Sequence, residues 1–456
     1  MKLTARTSDK SQILNIIIPI ILVIITLPLI SRAFTSRNEY RYVEIADSII
    51  KSKNPFVYYV NGILYTDKPP LYFWIMIASR FLFGNFYTYG IVAFNIVIES
   101  LVLIKLNRLL SRKYGFKSSI ILLFLLTTSI LQYISLILVR MDIFLSSFIT
   151  LALLEFWECY EKDSYRNVYK VYIYTGLAFL FKGLVGLLTP FLVIISFRFL
   201  SGKRYSFKEA GLFKGFMTVI LFILFWLIPA YITTGYPFLE NLFMKQVFAR
   251  AVTGSVHKQP FYYYIFVFPV IFFPWSIAVI YASYKYIGDF ISKKKFSDME
   301  LFLIIWTLIT IFYLSMSSSK LVIYLLPIVT PALILTFIKF SEAEENIRNR
   351  IYIITFIIFL CTIAAVPFAD GRDFLPFRNI TEVCFIFTAA VSAILFITGH
   401  KNLAYYSFGL LILFITVGAG INIGFINKQI RTGKKSTYTF MKESRSYSQR
   451  KEIQHG

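Results

Sequence analysis

Long apolar runs separated by short polar connections are the feature that most constrains how this chain folds. A helix needs ~20 mainly apolar residues to cross ~30 Å of hydrocarbon, and about 13 runs reach or approach that length. They are 13–30, 88–107, 118–138, 143–158, 168–181, 184–200, 215–234, 262–284, 299–316, 321–339, 351–368, 381–398 and 403–425. The chain is 57% hydrophobic and only 16% charged, which a water-soluble globule could not accommodate. The sequence therefore predicts an all-α polytopic membrane protein.

Two of the apolar runs need separate interpretation. Run 71–84 is short, aromatic and interrupted by Arg80, which favours a helix lying at the membrane interface over a span. Run 13–30 follows three basic residues as a signal peptide does, but its apolar core is too long for one. We therefore expect the first run to be a retained anchor.

Basic residues alternate along the chain with chemically mixed connections. Every second loop is rich in Lys and Arg, as around Lys113, Lys203 and Lys294, which predicts that these loops and the N-terminus are cytoplasmic. The net charge of +23 is spread over such loops and forms no continuous basic domain, so no nucleic-acid partner is expected. The opposite loops, above all 32–87 and 235–261, mix acids, bases and aromatics, so we expect function on the outer face. We interpret 1–426 as one transmembrane domain and 427–456 as a short polar tail, the remnant of an outer C-terminal domain.

Charged and polar residues at the outer ends of apolar runs are the candidates for function, because a charge in such a place is costly unless it is solvated or paired. The candidates, in chain order, are Asn38, Glu39, Arg41, Tyr65, Asp67, Lys68, Arg140, Asp142, Lys182, Arg250, His257, Lys320 and Tyr324. Each group also has a plain structural alternative. These alternatives are a solvated amphipathic connector at 38–46, a turn salt bridge at 67–68, a helix N-cap at Asp142, a snorkelling Lys182, a solvated His257 and a helix cap at 317–320.

Taken in order, these sites resemble the motifs of one family of membrane enzymes. The motif segments are 38–42, 61–71, 141–142, 180–186, 258–263 and 317–327. They are similar to those of the bacterial lipid A aminoarabinose transferases and the protein O-mannosyltransferases, which are GT-C glycosyltransferases. Segment 61–71, which runs from Asn-Gly to Asp-Lys-Pro-Pro-Leu, is the most specific of them.

The resemblance implies a GT-C fold and inverting transfer of one sugar from polyprenyl (undecaprenyl) phosphate to a lipid, glycan or protein on the periplasmic face of a bacterial inner membrane. The departing phosphate needs positive charge. Lys68, Lys182, Arg250 and Lys320 are the candidates for that work. A hydroxyl acceptor needs a base, for which we predict Glu39 or Asp142, whereas an ionised acceptor phosphate needs none. The remaining candidate residues are assigned to substrate binding.

The chain departs from the family pattern at two positions. Asn38 stands where relatives carry an aspartate, so the role of base falls to another residue or to none. Relatives that hold a metal use an acid matching Asp67 and a histidine in place of which this chain has Gln246, which weakens the prediction of a divalent metal. No other cofactor is expected. A lipid-linked sugar flippase or another transporter is the alternative function, and it should bury charges at mid-membrane and have related halves.

Overall fold

The computed structural model describes residues 9–26, 37–60, 62–84, 87–201, 211–242 and 258–369, and this part of the chain is almost entirely helical. The helices are α1 (Asp9–Thr26), α2 (Arg37–Ser52), α3 (Leu71–Phe83), α4 (Tyr87–Tyr114), α5 (Phe116–Thr128), α6 (Ile130–Ile137), α7 (Asp142–Glu161), α8 (Tyr169–Lys182), α9 (Leu184–Leu200), α10 (Leu212–Thr234), α11 (Tyr236–Glu240), α12 (Tyr263–Val270), α13 (Ser276–Ile291), α14 (Asp298–Met316), α15 (Leu326–Ser341) and α16 (Glu345–Ala369). Short 3₁₀ turns occupy Tyr165–Asn167 and Val322–Leu325. Strands β1 (Tyr58–Val60) and β2 (Ile63–Tyr65) form an antiparallel hairpin.

The lengths and apolar character of these helices confirm the prediction of a multi-pass membrane protein. Within the described ranges, five helical segments are long and apolar enough to cross a membrane, and the bent pair α5–α6 would make a sixth. The five are Thr88–Tyr114, Asp142–Glu161, Phe213–Thr234, Asp298–Met316 and Val322–Ser341. The predicted runs 381–398 and 403–425 and the tail 427–456 lie outside the described residues.

The predicted span at 118–138 is broken into two helices. Helices α5 and α6 meet at Ser129, whose backbone is extended, and their axes are bent by 64°. The break leaves backbone N–H groups at the start of α6 without partners in their own helix. Ile130 N–H donates to the carbonyl of Phe273 at 2.8 Å, and Leu131 N–H donates to that of Ile271 at 3.3 Å.

The acceptors for these bonds lie in a second break, inside the predicted span at 262–284. Helix α12 ends at Val270 and α13 begins at Ser276, with a turn between them that contains Pro274. Trp275 Nε1 also donates to Thr128 Oγ1 at 2.9 Å across this junction. Each broken span therefore satisfies polar groups that the other exposes, as a membrane interior requires.

Helix α7 lies at the centre of the core. It is buried along most of its length and packs against α4, α8, α9 and α15. The segment from α2 to α3, with the β1–β2 hairpin between them, packs together, and α3 also contacts α4 and α8. Helix α3 confirms that run 71–84 is helical, and its interfacial location stays a prediction. The end of α7 that carries Asp142 is where the predicted site residues meet.

Candidate active site

Asp142 is the first residue of α7 and lies between two cations. Its Oδ2 accepts from Arg140 Nε at 2.8 Å, and its Oδ1 accepts from the ammonium of Lys182. All three side chains are nearly or fully buried, with 2% exposure for Asp142, 12% for Arg140 and 9% for Lys182. Met141 occupies the N-cap position and no side chain caps α7, so the N-cap interpretation of Asp142 is wrong. Snorkelling is also wrong for Lys182, because its ammonium is paired inside the protein.

The backbone around Lys182 brings three separate motifs together. Lys182 ends α8, and Gly183 then turns the chain into α9 with φ of 72°, a conformation that favours glycine. A Cβ at Gly183 would lie 4.0 Å from Pro69, so the turn that contains Asp67 and Lys68 lies beside it. The ammonium of Lys182 lies 4.0 Å from the ring centroid of Tyr324, within the range of a cation–π contact.

Glu39 reaches the same place from α2. Its side chain is fully buried, and its Oε1 accepts from the backbone N–H of Val139 at 3.0 Å, just before Arg140. A solvated amphipathic connector is therefore wrong for Glu39. Asn38 and Arg41, on the same helix, are only partly buried.

Two buried tyrosines complete the packing between the first motif and the Asp142 turn. Tyr42, one turn after Glu39, packs edge to face on Tyr72 of α3, with ring centroids 5.6 Å apart. Burial raises the pKa of the Tyr42 hydroxyl, and the Asp142 carboxylate raises it further. The hydroxyl is therefore neutral near pH 7, and it lies close enough to Asp142 to sense its charge.

Two positive charges and one negative charge make up this trio of Arg140, Lys182 and Asp142. Arg140 and Lys182 share the single carboxylate of Asp142, so one positive charge of the trio is not matched within it. Burial alone would lower the pKa of Arg140, but the adjacent Asp142 raises it above its usual value. The guanidinium therefore stays charged, and the trio is suited to bind an anion.

Lys320 is held by backbone carbonyls from two connecting segments. It is 3% exposed, and its ammonium donates to the carbonyl of Gln259 at 3.0 Å and to that of Ser317. Lys258 and Ser319 also form an antiparallel bridge, so Lys320 joins two connecting segments. Burial lowers the pKa of the Lys320 ammonium. A contact between Lys320 and a phosphate stays a prediction.

The remaining candidates are either at the edge of this cluster or beyond what the structure describes. Tyr65 ends the hairpin and, like Asp67 and Lys68, is partly buried. Arg250 and His257 lie outside the described residues. In the part of the chain that is described, no three His, Cys, Asp or Glu side chains come together as metal ligands, so Asp67 has no metal site built around it there.

Sequence reasoning missed Tyr72 and Asn95, and it placed Tyr42 in motif segment 38–42 without assigning it a role. Asn95 lies inside the predicted span 88–107 and is fully buried, and its amide donates to the carbonyls of Leu136 and Leu138. The signal was available, because a polar side chain within an apolar run is itself a candidate for function.

Known proteins of one kind are similar to this chain in sequence. A family model described as dolichyl-phosphate-mannose-protein mannosyltransferase matches residues 67–229. The undecaprenyl phosphate-alpha-4-amino-4-deoxy-L-arabinose arabinosyl transferase of Wigglesworthia glossinidia brevipalpis is 26% identical over 348 residues, which cover 73% of this chain and 59% of the relative. The protein of the same name from Shewanella sediminis is 26% identical over 347 residues, covering 74% and 62%. The chain thus spans about three fifths of the length of these relatives.

A solved structure shares the fold. ArnT from Cupriavidus metallidurans bound to undecaprenyl phosphate superposes with a TM-score of 0.73 at 19% identity, covering 92% of this chain and 78% of that one. The apo form of the same protein superposes with a TM-score of 0.71. The fold is therefore the GT-C fold that the motif order predicts. The family match and the curated relatives add a similarity in sequence to enzymes of the GT-C glycosyltransferase family.

Proposed function

We propose that the chain transfers a single sugar from polyprenyl (undecaprenyl) phosphate to an acceptor at the outer face of the membrane. The observation that carries this proposal is the buried trio of Arg140, Asp142 and Lys182 beside the Pro69 turn and the ring of Tyr324. The names of the curated relatives support the donor class, and so does the ligand named for the similar solved structure.

The trio is suited to the departure of a phosphate. When the bond between the sugar and the phosphate breaks, negative charge grows on the phosphate, and preorganised cations stabilise it. Lys182 and Arg140 supply that charge, and Asp142 fixes both cations so that little reorganisation is needed during the reaction. Lys68 lies on the turn beside Gly183 and is the next candidate to contact the phosphate.

The acceptor determines whether a base is needed. A hydroxyl acceptor must lose a proton, and Glu39 and Asp142 are the carboxylates proposed for it. Each already has a partner, since Glu39 binds the Val139 N–H and Asp142 binds two cations. An acceptor phosphate, as on a lipid A-like lipid, would be ionised already. Attack on the face opposite the departing phosphate would invert the anomeric carbon.

The activity can be tested with purified protein in nanodiscs. The protein is incubated with undecaprenyl-phosphate sugars and with an envelope lipid extract, and mass spectrometry measures free undecaprenyl phosphate and sugar-modified product. We expect both to form with one sugar, and both to form at least about tenfold more slowly with Lys182→Ala. An intact donor that only changes leaflet would favour a lipid-linked sugar flippase and contradict the proposal.

We also propose that the protein lies in a bacterial inner membrane, with the site facing the periplasm and the N-terminus in the cytoplasm. Ile63 near the site is 67% exposed, and the side chain of Lys294 is 60% exposed. In a background without native cysteines, Ile63→Cys should react with a membrane-impermeant maleimide in spheroplasts, whereas Lys294→Cys should react only after lysis. The reverse pattern would overturn the orientation.

A further inference from the structure

The backbone between α6 and α7 needs partners from elsewhere in the protein. Helix α6 ends at Ile137, Leu138 is extended, and α7 begins at Asp142, so the turn 138–141 makes no continuous helical ladder. Leu136 and Val139 are buried in this region, and a buried carbonyl or N–H without a partner is costly there. The positions of Arg140 and Asp142 depend on how these backbone groups are held.

Asn95 of α4 holds the carbonyls of this turn. It is fully buried, and its Nδ2 donates to Leu136 O at 2.8 Å and to Leu138 O at 3.2 Å. The next backbone group, the Val139 N–H, donates to Glu39 on α2. Side chains from two helices thus hold consecutive backbone groups, one or two residues before Arg140.

We infer that Asn95 is a positioning residue that sets the place of the Arg140–Asp142 turn and, through Asp142, of the Lys182 ammonium. Asn95 acts through the backbone and belongs to none of the sequence motifs of the site. The reacting groups therefore depend on an amide inside a transmembrane helix. The kinetic part of this inference rests on the proposed function, and the structural part does not.

The same helix offers a matched control. Asn107 is also fully buried, and its Nδ2 donates to the carbonyl of Ser11 at 3.0 Å and to Asn15 Oδ1 at 2.8 Å. It lies twelve residues after Asn95, about 18 Å farther along the helix axis at 1.5 Å per residue. Asn107 ties α4 to α1 and contacts no part of the turn, so its replacement tests the general cost of losing a buried amide.

The structural test is backbone hydrogen exchange in nanodiscs without substrate, followed by mass spectrometry of peptides that contain Val139. Asn95→Asp keeps the size of the side chain and removes its two N–H donors. We expect the Val139 peptides to exchange about tenfold faster in Asn95→Asp, and at the wild-type rate in Asn107→Asp, where peptides around Ser11 should change instead. Unchanged exchange at Val139 in Asn95→Asp would overturn the inference, whether or not the protein transfers sugar.

The kinetic test uses the same variants with the undecaprenyl-phosphate sugar that the wild type accepts. We expect kcat to fall at least about tenfold in Asn95→Asp with a smaller change in KM for the donor, because the cations matter most as the phosphate departs. Per folded molecule, Asn107→Asp should keep its kcat. Equal losses of kcat in the two variants would show that Asn95 has only a general structural role.

A third variant, Asn95→Ser, keeps the inference testable if the Asn95→Asp protein does not fold in sufficient amount. Asn95→Ser adds no charge and keeps at most one hydroxyl donor, so it should fold and give an intermediate loss of kcat together with intermediate exchange at Val139. Wild-type kcat and wild-type exchange in Asn95→Ser would overturn the inference. Should wild-type protein transfer no sugar at all, the proposed function fails, and the exchange measurement still decides whether Asn95 holds the turn.

Discussion

Two buried charge clusters at opposite ends of the helical core are built in opposite ways. In the Asp142 cluster, formed by Arg140, Asp142 and Lys182, two cations share one carboxylate. In the Lys339 cluster, one ammonium that is 5% exposed is surrounded by three carboxylates. Its Nζ lies 2.9 Å from Asp289, 3.3 Å from Glu300 and 3.1 Å from Glu342.

The two clusters are about one membrane thickness apart. Helix α7 begins at Asp142, and its 20 residues extend about 30 Å. Near its far end, Tyr160 donates to Asp298 at 2.7 Å, at the start of the helix that carries Glu300. Lys339 lies near the end of α15, so its cluster joins three helix ends at that side of the protein.

The difference in charge balance distinguishes a structural connection from the proposed anion-binding site. The Lys339 ammonium has three carboxylate partners and therefore needs no further anion. Its cluster thus serves to connect α13, α14 and α15. The Asp142 trio has one more positive charge than negative charge, and it lies next to turns that carry sequence motifs and near the buried Glu39, which binds the Val139 N–H. A ligand with negative charge would complete it, whereas it would be repelled by the Lys339 cluster.

The largest expected effect comes from removing the central charge of each cluster. Asp142→Asn leaves two buried cations without their carboxylate, and breaking a buried ion pair costs about 3–5 kcal/mol. We expect a lower thermal midpoint in detergent and loss of sugar transfer. Lys339→Met should lower the midpoint similarly but keep transfer per folded molecule. Transfer lost equally in both variants would remove the distinction between the clusters.

A smaller effect is expected from changing one cation of the Asp142 cluster. Lys182→Ala removes a charge-assisted contact worth about 1.5–3 kcal/mol, which corresponds to a loss of tenfold or more in kcat/KM. Asp142 keeps Arg140 as a partner, so the midpoint should fall less than in Asp142→Asn. Lys182→Arg keeps the charge and is the matched control. Transfer at the wild-type rate in Lys182→Ala would exclude this ammonium from the reaction.

The sequence predicts the members of the Asp142 cluster better than their contacts. Charges at the ends of apolar runs identify Arg140, Asp142 and Lys182, because such residues are rarely tolerated without a role. Which of them pair depends on how α7 and α8 pack, which periodicity does not specify. The same reasoning missed the Lys339 cluster, whose acids are far apart in the chain.

The fold is predictable in its class but not in its breaks. Apolar length identifies most spans, since it follows from membrane thickness. The bend at Ser129 has no strong signal of its own, because the partners of its N–H groups lie beyond residue 270. Pro274 signals the second break, since proline lacks the N–H that a helix needs. Only the three-dimensional structure reveals that the two breaks satisfy each other.

A pair of glycines beside the two clusters provides a test of backbone strain. Gly183 follows Lys182 and has φ of 72°, whereas Gly288 precedes Asp289 inside α13, where no described atom lies within 4 Å of an added Cβ. Gly183→Ala should lower the stability by about 1–2 kcal/mol and move Lys182, which reduces transfer. Gly288→Ala should be neutral or stabilise α13 by up to about 1 kcal/mol. Thermal unfolding of both variants, with transfer normalised to folded protein, checks this. A Gly183→Ala variant as stable and active as Gly288→Ala would contradict the importance of that turn.

The smallest effect is expected at Lys320, which tests whether a buried cation in a family motif belongs with Lys182 or with Lys339. Its ammonium donates to two backbone carbonyls, Gln259 O and Ser317 O. Lys320→Met removes those bonds, which destabilises the protein, but it also removes the cost of burying an ammonium. The two effects on the free energy of unfolding should therefore offset each other to within about 1 kcal/mol.

If Lys320 acts as a connection between segments 258–260 and 317–320, sugar transfer should fall much less than in Lys182→Ala, and protease cleavage near Lys258 should become faster. A loss of transfer as large as that of Lys182→Ala, with unchanged proteolysis, would instead place Lys320 at the phosphate, as its motif predicts. Its ammonium would then exchange these two carbonyls for phosphate oxygens when the donor binds.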